Sequence, residues 1–334
     1  MIQDLLNHRL DNRYCPGRVP QPDDAVISYA DRKILISEID GEKRLVFPTV
    51  EEYVRAVSST LADATDKDTV DKDVADKNTI HKYIADNDTT GKDEAERNRE
   101  STDPSVTASP FTSLTEHLIY LFAVDQRAFF LTMEHLDLSG FSYSSLRDIR
   151  AKDLHPQEYV FAAFTAVHLG EWYRRKRYCG ACGLLLRHDD RERAMRCPSC
   201  GEVFYPRINP AVIVGVVDHD RLLITRYLRG YGHNALVAGF AEIGEALEET
   251  VAREVMEETG LRVKNIRYYK SQPWGIASDL LAGFFCDVDG STQVKLDGQE
   301  LRSAIWTPRE KITWQPPEYS LTADMMKAFH EGRA

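Results

Sequence analysis

One stretch, Gly239 to Leu261, constrains this chain more than any other: GFAEIGEALEETVAREVMEETGL. From about Gly244 to Thr259 it has no proline and consists mostly of Ala, Leu, Glu, Arg and Met, so it predicts a helix. Leu247, Val251 and Val255 recur every four residues and form an apolar stripe that must face a core. Glu254, Glu257 and Glu258 fall at i, i+3 and i+4, so three carboxylates project from one side of the helix. Glu248 and Glu249 add more negative charge. Like charges this close repel unless a cation sits among them, and a hard divalent ion with oxygen ligands, Mg2+ or Mn2+, suits such a cluster. The plainer reading is a solvated acidic face. Arg253 within the helix and the glycines on either side, Gly239 and Gly260, weigh against it. The glycines bracket the helix where the chain is expected to turn sharply in and out.

The cysteines give the second constraint. Four of the six, Cys179, Cys182, Cys197 and Cys200, form C-x2-C-x14-C-x2-C, the spacing of a four-thiolate zinc ribbon. Tetrahedral Zn2+ takes all four sulfurs and keeps no open position, so the site is structural. A ribbon that grips nucleic acid is the rival reading. Arg187, Arg191, Arg193 and Arg196 favour it, but Asp189, Asp190 and Glu192 dilute them. Cys15 and Cys286 read as ordinary free thiols. Reduced metal-binding cysteines imply a reducing compartment.

The 334 residues suggest two domains or more, and 43% hydrophobic content is enough for sizeable cores. A net charge of −11 argues against non-specific binding to long nucleic acid or anionic membrane, though not against a small anion held through metal ions. No run approaches the length of a membrane span, and MIQDLLNHRLDNRYC lacks a signal-peptide core, so a cytoplasmic protein without membrane contact is expected. Residues 1–58 hold strand-like pieces, AVISYA, KILIS and RLVFPTV, which predict an antiparallel β domain. From Ala64 the chain reads ATDKD TVDKD VADKN TIHKY IADND TTGKD. A period of five matches neither helix nor strand, so residues 59–108 read as a low-complexity, disordered insertion. LTEHLIYLFAVDQRAFFLTM resumes a strand pattern, and Pro156 opens a helix to about Arg177 on which His168 reads as a packed histidine. The apolar run from Ala211 to Val217 predicts a buried strand, with RLLITRY, ALVAG, VKNIRYYKSQPW, LLAGFFCDV and ELRSAIWT as its neighbours and a last helix near Leu321 to Gly332. Strands around one long helix give an α/β/α sandwich with a mixed sheet. The expected partition is 1–58 plus 109–175, the insertion 59–108, a ribbon at 176–204 and the catalytic domain at 205–334.

Gly239, Glu245, Arg253, Glu254, Glu257, Glu258 and Gly260, with apolar Val255 and Leu261, fill G-x5-E-x7-R-E-U-x-E-E-x-G-U. This resembles the Nudix box, which marks hydrolases of a nucleoside diphosphate linked to another moiety. Chance would produce it in roughly one chain in a million. A zinc ribbon directly before the box and Ser271-Gln272-Pro273-Trp274 after it are similar to the NADH pyrophosphatase, or NAD(+) diphosphatase, family over about Tyr159 to the C-terminus. The resemblance implies the Nudix fold, with Glu245 and Arg253 bracing the loop–helix–loop. It implies Mg2+ or Mn2+ at Glu254, Glu257, Glu258 and Glu300, with the backbone carbonyl of Ala238 facing metal and substrate. It implies adenine contacts from Tyr205 and Phe240, and further substrate contacts from Glu192, Gln272, Pro273, Trp274, Asp279 and Ala323. The implied reaction cuts the pyrophosphate of NADH or NAD+ to AMP and nicotinamide mononucleotide, with one box glutamate assisting as base. NAD caps on RNA 5′ ends are a second substrate, and a homodimer is the implied assembly. The family pattern continues Q-P-W-P-F-P-x-S, whereas this chain has Gly275, Ile276, Ala277, Ser278 and Asp279 after the tryptophan. That departure touches specificity for the nicotinamide half and leaves two rivals: a Nudix enzyme for ADP-ribose or dinucleoside polyphosphates, and a non-catalytic nucleotide sensor.

Overall fold

The computed structural model describes residues 1–39, 42–65, 110–230, 232–296, 298–314 and 319–334. The chain forms two compact units. One comprises His8–Ile149 and Leu169–Val203, the other Met1–Asn7, Arg150–His168 and Phe204–Ala334.

The first unit is built on a sheet of β1 (Leu10–Asp11), β2 (Ala25–Ala30), β3 (Lys33–Ile39), β4 (Arg44–Val46), β5 (Ile119–Val124), β6 (Arg127–Thr132) and β7 (Ser142–Ser145). The strand order is β1-β5-β6-β2-β3-β4, with β7 also on β3. It is a mixed sheet, because β2 runs parallel to β6 with Val26 opposite Phe130, whereas the sequence suggested antiparallel pairing alone. Helices α1 (Val50–Thr65), α2 (Pro110–Thr115) and α3 (Leu146–Ala151) accompany it. Val50 and Tyr53 of α1 are fully buried in the core with Val26, Leu35 and Phe130.

Helix α1 corrects the sequence reading, which ran a strand through RLVFPTV and began the insertion at residue 59. Thr49 and Glu52 form a reciprocal cap: Glu52 N–H donates to Thr49 Oγ1 (3.2 Å) and Thr49 N–H to Glu52 Oε2 (2.8 Å). The helix therefore starts at Val50 and occupies residues up to Thr65. The pentapeptide repeats from residue 66 onward lie outside the described residues. Also in this unit, the ribbon consists of β8 (Arg187–His188), β9 (Met195–Arg196) and β10 (Val203–Phe204), ordered β10-β9-β8.

The second unit holds a mixed six-stranded sheet of β11 (Asn209–Asp218), β12 (Arg221–Tyr227), β13 (Val237–Phe240), β14 (Val263–Trp274), β15 (Asp279–Val288) and β16 (Leu301–Pro308). Its order is β14-β15-β11-β12-β16, and β13 also pairs with β11. β11 and β15 run parallel from Asn209↔Asp279 to Val217↔Asp287, and the other pairs are antiparallel. β11 is central and covered on both faces, which is why its sequence is a continuous apolar run rather than an alternation. One face, with Val212, Val214, Val216, Ala282 and Phe284, packs on Val251 and Val255 of α5 (Leu247–Thr259). The other, with Ile213, Leu222, Ile224 and Phe285, packs on Leu321, Met325, Met326 and Phe329 of α6 (Leu321–His330). This is the expected sandwich around a mixed sheet. Burying Val251 and Val255 stabilises the docking of α5 by about 1.5–3 kcal/mol each. The helix α4 (Gln157–Arg175) gives its residues up to His168 to this unit.

Helix α5 begins at Leu247, three residues later than its composition suggested. Glu249 turns back to accept the Ala246 N–H at 2.7 Å, so it caps the helix start instead of adding to the acidic cluster. At the other end Gly260 takes φ +69°, and its N–H closes on Met256 O at 2.9 Å.

Candidate active site and zinc centre

The two C-x2-C pairs fold into matching knuckles. Cys179 N–H donates to Leu184 O (2.8 Å) and Gly183 N–H to Cys179 O (2.9 Å). The second knuckle repeats this with Cys197 N–H to Glu202 O (2.9 Å) and Gly201 N–H to Cys197 O (3.1 Å). Gly183 and Gly201 sit at φ +77° and +76°, where a side chain would be strained. The sulfurs of Cys179 and Cys200 are 3.6 Å apart, those of Cys182 and Cys197 3.4 Å, and those of Cys182 and Cys200 3.8 Å. A tetrahedral zinc with Zn–S bonds of about 2.3 Å places its sulfurs about 3.8 Å apart, so the four donors fit this ion. Backbone N–H groups of Cys200 and Ser199 hold the Cys197 thiol down to about 6, toward the thiolate that a metal needs. The arginines between the pairs are engaged within the unit. Arg196 donates to Asp189 Oδ2 at 2.7 Å, and Arg193 lies 5.5 Å over the Tyr14 ring while donating to Leu121 O. These bonds support the structural reading of the ribbon over the nucleic-acid one.

The carboxylate cluster is organised by Arg253. Its Nε donates to Glu245 Oε1 at 2.6 Å and its Nη2 to Glu245 Oε2 at 3.0 Å, a bidentate pair. Nη2 also reaches Phe240 O at 2.9 Å, which ties the helix to the end of β13. Nη1 bridges Glu254 Oε1 at 2.8 Å and Glu257 Oε2 at 3.0 Å. Glu245 is fixed further by Glu242 N–H (3.1 Å) and Thr250 Oγ1 (3.0 Å). The Arg253 guanidinium holds the Glu245 carboxyl down to about 2. Burial raises the Glu254 carboxyl against the pull of Arg253, and the nearby charges of Glu257 and Glu300 raise it further. Glu258, on the same helix, is 4% exposed.

Gly239 does not turn the chain, as its sequence position suggested. It lies within β13 opposite Val212, and a Cβ there would sit 1.9 Å from Glu254 Cδ. A glycine is required because the carboxylate packs directly against the strand. This close approach fixes where Glu254 stands relative to Arg253 and the sheet.

Among the described residues, the only set of three or more His, Cys, Asp or Glu ligand atoms within 4.8 Å of one another is the four cysteines. The glutamates are instead spread around Arg253. Their chemistry still fits Mg2+ or Mn2+: all the donors are hard carboxylate oxygens, and Glu300 is close enough to perturb Glu254.

The other expected contacts fall in distinct places. Tyr205 and Phe240 present their rings openly, at 56% and 54% exposure, as residues that stack on a base must. Ala238 lies on β13 opposite Ile213. Glu192 belongs to the ribbon, in the other unit. Ala323 is buried in the first turn of α6, where its N–H meets Ser320 Oγ. Gln272 is fully buried. Its Nε2 donates to Tyr319 O (2.6 Å) and Gln3 Oε1 (3.1 Å), and its Oε1 accepts from Leu321 N–H (2.6 Å). Both ends of its amide are therefore engaged in holding the start of α6 and the N-terminal segment. Trp274 packs on Phe164, with centroids 5.7 Å apart, and under Arg150, while Pro273 is exposed.

The departure after Trp274 has a packing cause. A Cβ on Gly275 would lie 2.2 Å from Phe164 O, so the proline of the family pattern does not fit against α4 as it stands here. Asp279 is buried and accepts from Asn209 Nδ2 at 3.1 Å. Asn209 in turn accepts from Arg207 Nε at 2.7 Å, and the Arg207 carbonyl meets His168 Nε2 at 2.7 Å. Burial raises the Asp279 carboxyl, while Asn209 opposes the rise. Sequence reasoning missed Asn209 and Arg207, because nothing but the pairing of β11 with β15 brings them to Asp279.

A ribbon that binds zinc and a box helix that holds carboxylates against a mixed sheet define the class of Nudix proteins with a zinc ribbon. The NUDIX domain model matches residues 207–329, and the NADH pyrophosphatase zinc ribbon domain model matches residues 174–205. A protein of Photorhabdus laumondii named NAD-capped RNA hydrolase NudC is 39% identical over 185 residues, 55% of this chain and 70% of that protein. Proteins of the same name from Salmonella heidelberg and Enterobacter sp. (strain 638) are each 41% identical over 152 residues, 45% of this chain. The matched stretch spans 59% and 58% of those two proteins. A solved NUDIX hydrolase from Nitrosomonas europaea aligns at 23% identity and a TM-score of 0.41, covering 47% of this chain and 92% of its own; the fold assignment rests on the sheet topology and the domain match instead. The chain belongs to the Nudix hydrolase family, in the group that carries the NADH pyrophosphatase zinc ribbon. No helix of the described residues is long and apolar enough to cross a membrane.

Proposed function

We propose that this chain hydrolyses the pyrophosphate bond of NADH or NAD+ to AMP and nicotinamide mononucleotide, and that it removes the same group from NAD-capped RNA. The observation that carries this reading is the Arg253 hub, which aligns Glu245, Glu254 and Glu257 beside buried Glu258. The names of the relatives support the substrate. Mg2+ or Mn2+ at Glu254, Glu257, Glu258 and Glu300 supplies charge neutralisation at the pyrophosphate and a more acidic bound water. The protein's own residues do the rest. Glu245 and Arg253 hold the loop from Phe240 to the helix rigid, so the carboxylates keep their spacing. Burial gives Glu254 a raised pKa, which suits it to accept a proton during attack on phosphorus. Phe240 and Tyr205 offer faces for the adenine, and Ala238 lies one residue before the Gly239 contact. The zinc ribbon holds its own unit together and takes no part in the reaction. The pairing of two copies into a homodimer belongs to the same proposal, as does a cytoplasmic location.

The test is turnover of Glu257→Gln and Glu258→Gln with Mg2+ or Mn2+. Each variant loses most activity and keeps its fold by circular dichroism. Near-normal turnover in both sinks the assignment of the carboxylates.

A further inference from the structure

We propose that a groove at the β16 edge of the second sheet is a subsite for the sugar–phosphate chain of a capped RNA, just beyond the bond that is cut. This deepens the reading above and rests on it for the identity of the cap. The groove encloses about 310 Å3 and is lined by Ile224, Arg226, Asn234, Ser303, Ile305 and Thr307. The β12–β16 register builds it: Ile224 stands opposite Ile305, Arg226 opposite Ser303 and Leu222 opposite Thr307, so the six side chains share one face.

The lining has the chemistry of a nucleotide site. Ile305, at 61% exposure, gives an aliphatic floor on which a sugar or base can lie. Ser303 and Thr307 bring hydroxyls to the rim. Arg226 supplies the charge, and it is pre-oriented: its Nε donates to Asn234 Oδ1 at 3.0 Å, while Asn234 Nδ2 is anchored on Thr313 O at 3.2 Å. One edge of the guanidinium is held, and no bond from its two Nη groups occurs among the described residues. A guanidinium presented in this way matches a phosphodiester, which carries one negative charge and accepts from two oxygens.

Position supports the same occupant. Leu228 N–H donates to Glu300 O at 2.9 Å, and Glu300 perturbs Glu254, so this strand begins at the carboxylate cluster. Ser303 is three residues further along, about 10 Å at the rise of a strand. That is the reach of one or two nucleotides, the distance at which RNA leaving a cap would need its first phosphate neutralised. A net charge of −11 disfavours a long nucleic-acid track, so a short local contact beside the site is the form that recognition takes here.

The test compares the full chain with its Arg226→Ala and Ser303→Glu variants, using NAD+ and an NAD-capped pentaribonucleotide. Binding of the labelled oligonucleotide is read by fluorescence anisotropy, and turnover of both compounds by chromatography. Both variants weaken oligonucleotide binding and its kcat/KM about tenfold, while NAD+ turnover stays within about twofold of wild type. An unchanged ratio between the two compounds in both variants overturns the groove, as does failure of the wild type to bind the capped oligonucleotide. If the wild type binds it but cleaves neither compound, the proposed reaction falls, and the anisotropy of the variants still decides the groove.

Discussion

Replacing Gly239 with alanine separates the placement of Glu254 from the stability of the fold. The new methyl would meet Glu254 Cδ at 1.9 Å and its two oxygens at 2.1 and 2.2 Å. The carboxylate must retreat by about 1.5 Å to restore ordinary van der Waals contact. It is the far end of a flexible side chain, so it can move without displacing backbone. The cost to stability is then about 1–3 kcal/mol, the usual range for one added methyl in a packed site. In a unit of this size that lowers Tm by roughly 2–4 °C per kcal/mol. The cost to function is larger. The retreat draws Glu254 Oε1 from Arg253 Nη1, now 2.8 Å away, and from its place beside Glu257 and Glu300. A misplacement of about 1 Å at a catalytic group costs on the order of 100-fold in rate. Gly239→Ala therefore keeps a cooperative melt by calorimetry and loses about 100-fold in kcat toward NADH, with a smaller change in KM. Wild-type kcat in a variant confirmed to be folded would refute the claim that this close approach sets the position of Glu254.

Three further predictions follow from the same contacts. Gln272→Ala leaves Leu321 N–H and Tyr319 C=O without their partner, at about 1–3 kcal/mol per buried group, so its Tm falls by several degrees in a thermal melt even when saturated with nucleotide. Purified protein carries about one zinc per chain by elemental analysis, and Cys197→Ser loses that zinc together with the near-ultraviolet signature of a folded ribbon. Arg253 holds Glu245 at about 2, below its ordinary 4.5, so the stabilisation from this pair is complete above pH 4.5 and is lost as pH falls toward 2. Urea melts of wild type and Glu245→Gln should accordingly differ at pH 6 and converge below pH 3.

The parts of this molecule that depend on local spacing were legible in the sequence. The α5 stripe of Leu247, Val251 and Val255, the C-terminal Gly260 and the two cysteine knuckles each lie within one or two turns of chain. The parts that depend on distant segments were not. Gly239 reads as a turn until the fold brings Glu254, fifteen positions later, against its Cα. Gln272 reads as a substrate contact until residues 3, 319 and 321 converge on its amide. The glycine after Trp274 gains its meaning from Phe164, on a helix more than a hundred residues earlier. Helix α1 is a different case. Its Thr49–Glu52 cap is local and visible, but the apolar run of RLVF just before it favoured a strand reading that continued too far. The raised carboxyl of Glu254 combines burial with the charge of Glu300, a pairing across β16 that no spacing in the box encodes.

The most direct measurement is product analysis. The purified protein is incubated with NADH, NAD+ and ADP-ribose, each with Mg2+ or Mn2+, and the nucleotides are separated by chromatography. AMP and reduced nicotinamide mononucleotide from NADH, formed with higher kcat/KM than the products of ADP-ribose, is the predicted result. Cleavage of ADP-ribose with NADH left intact would contradict it, and would show that Gly275 to Asp279 have re-specified the pocket while the carboxylate chemistry is kept.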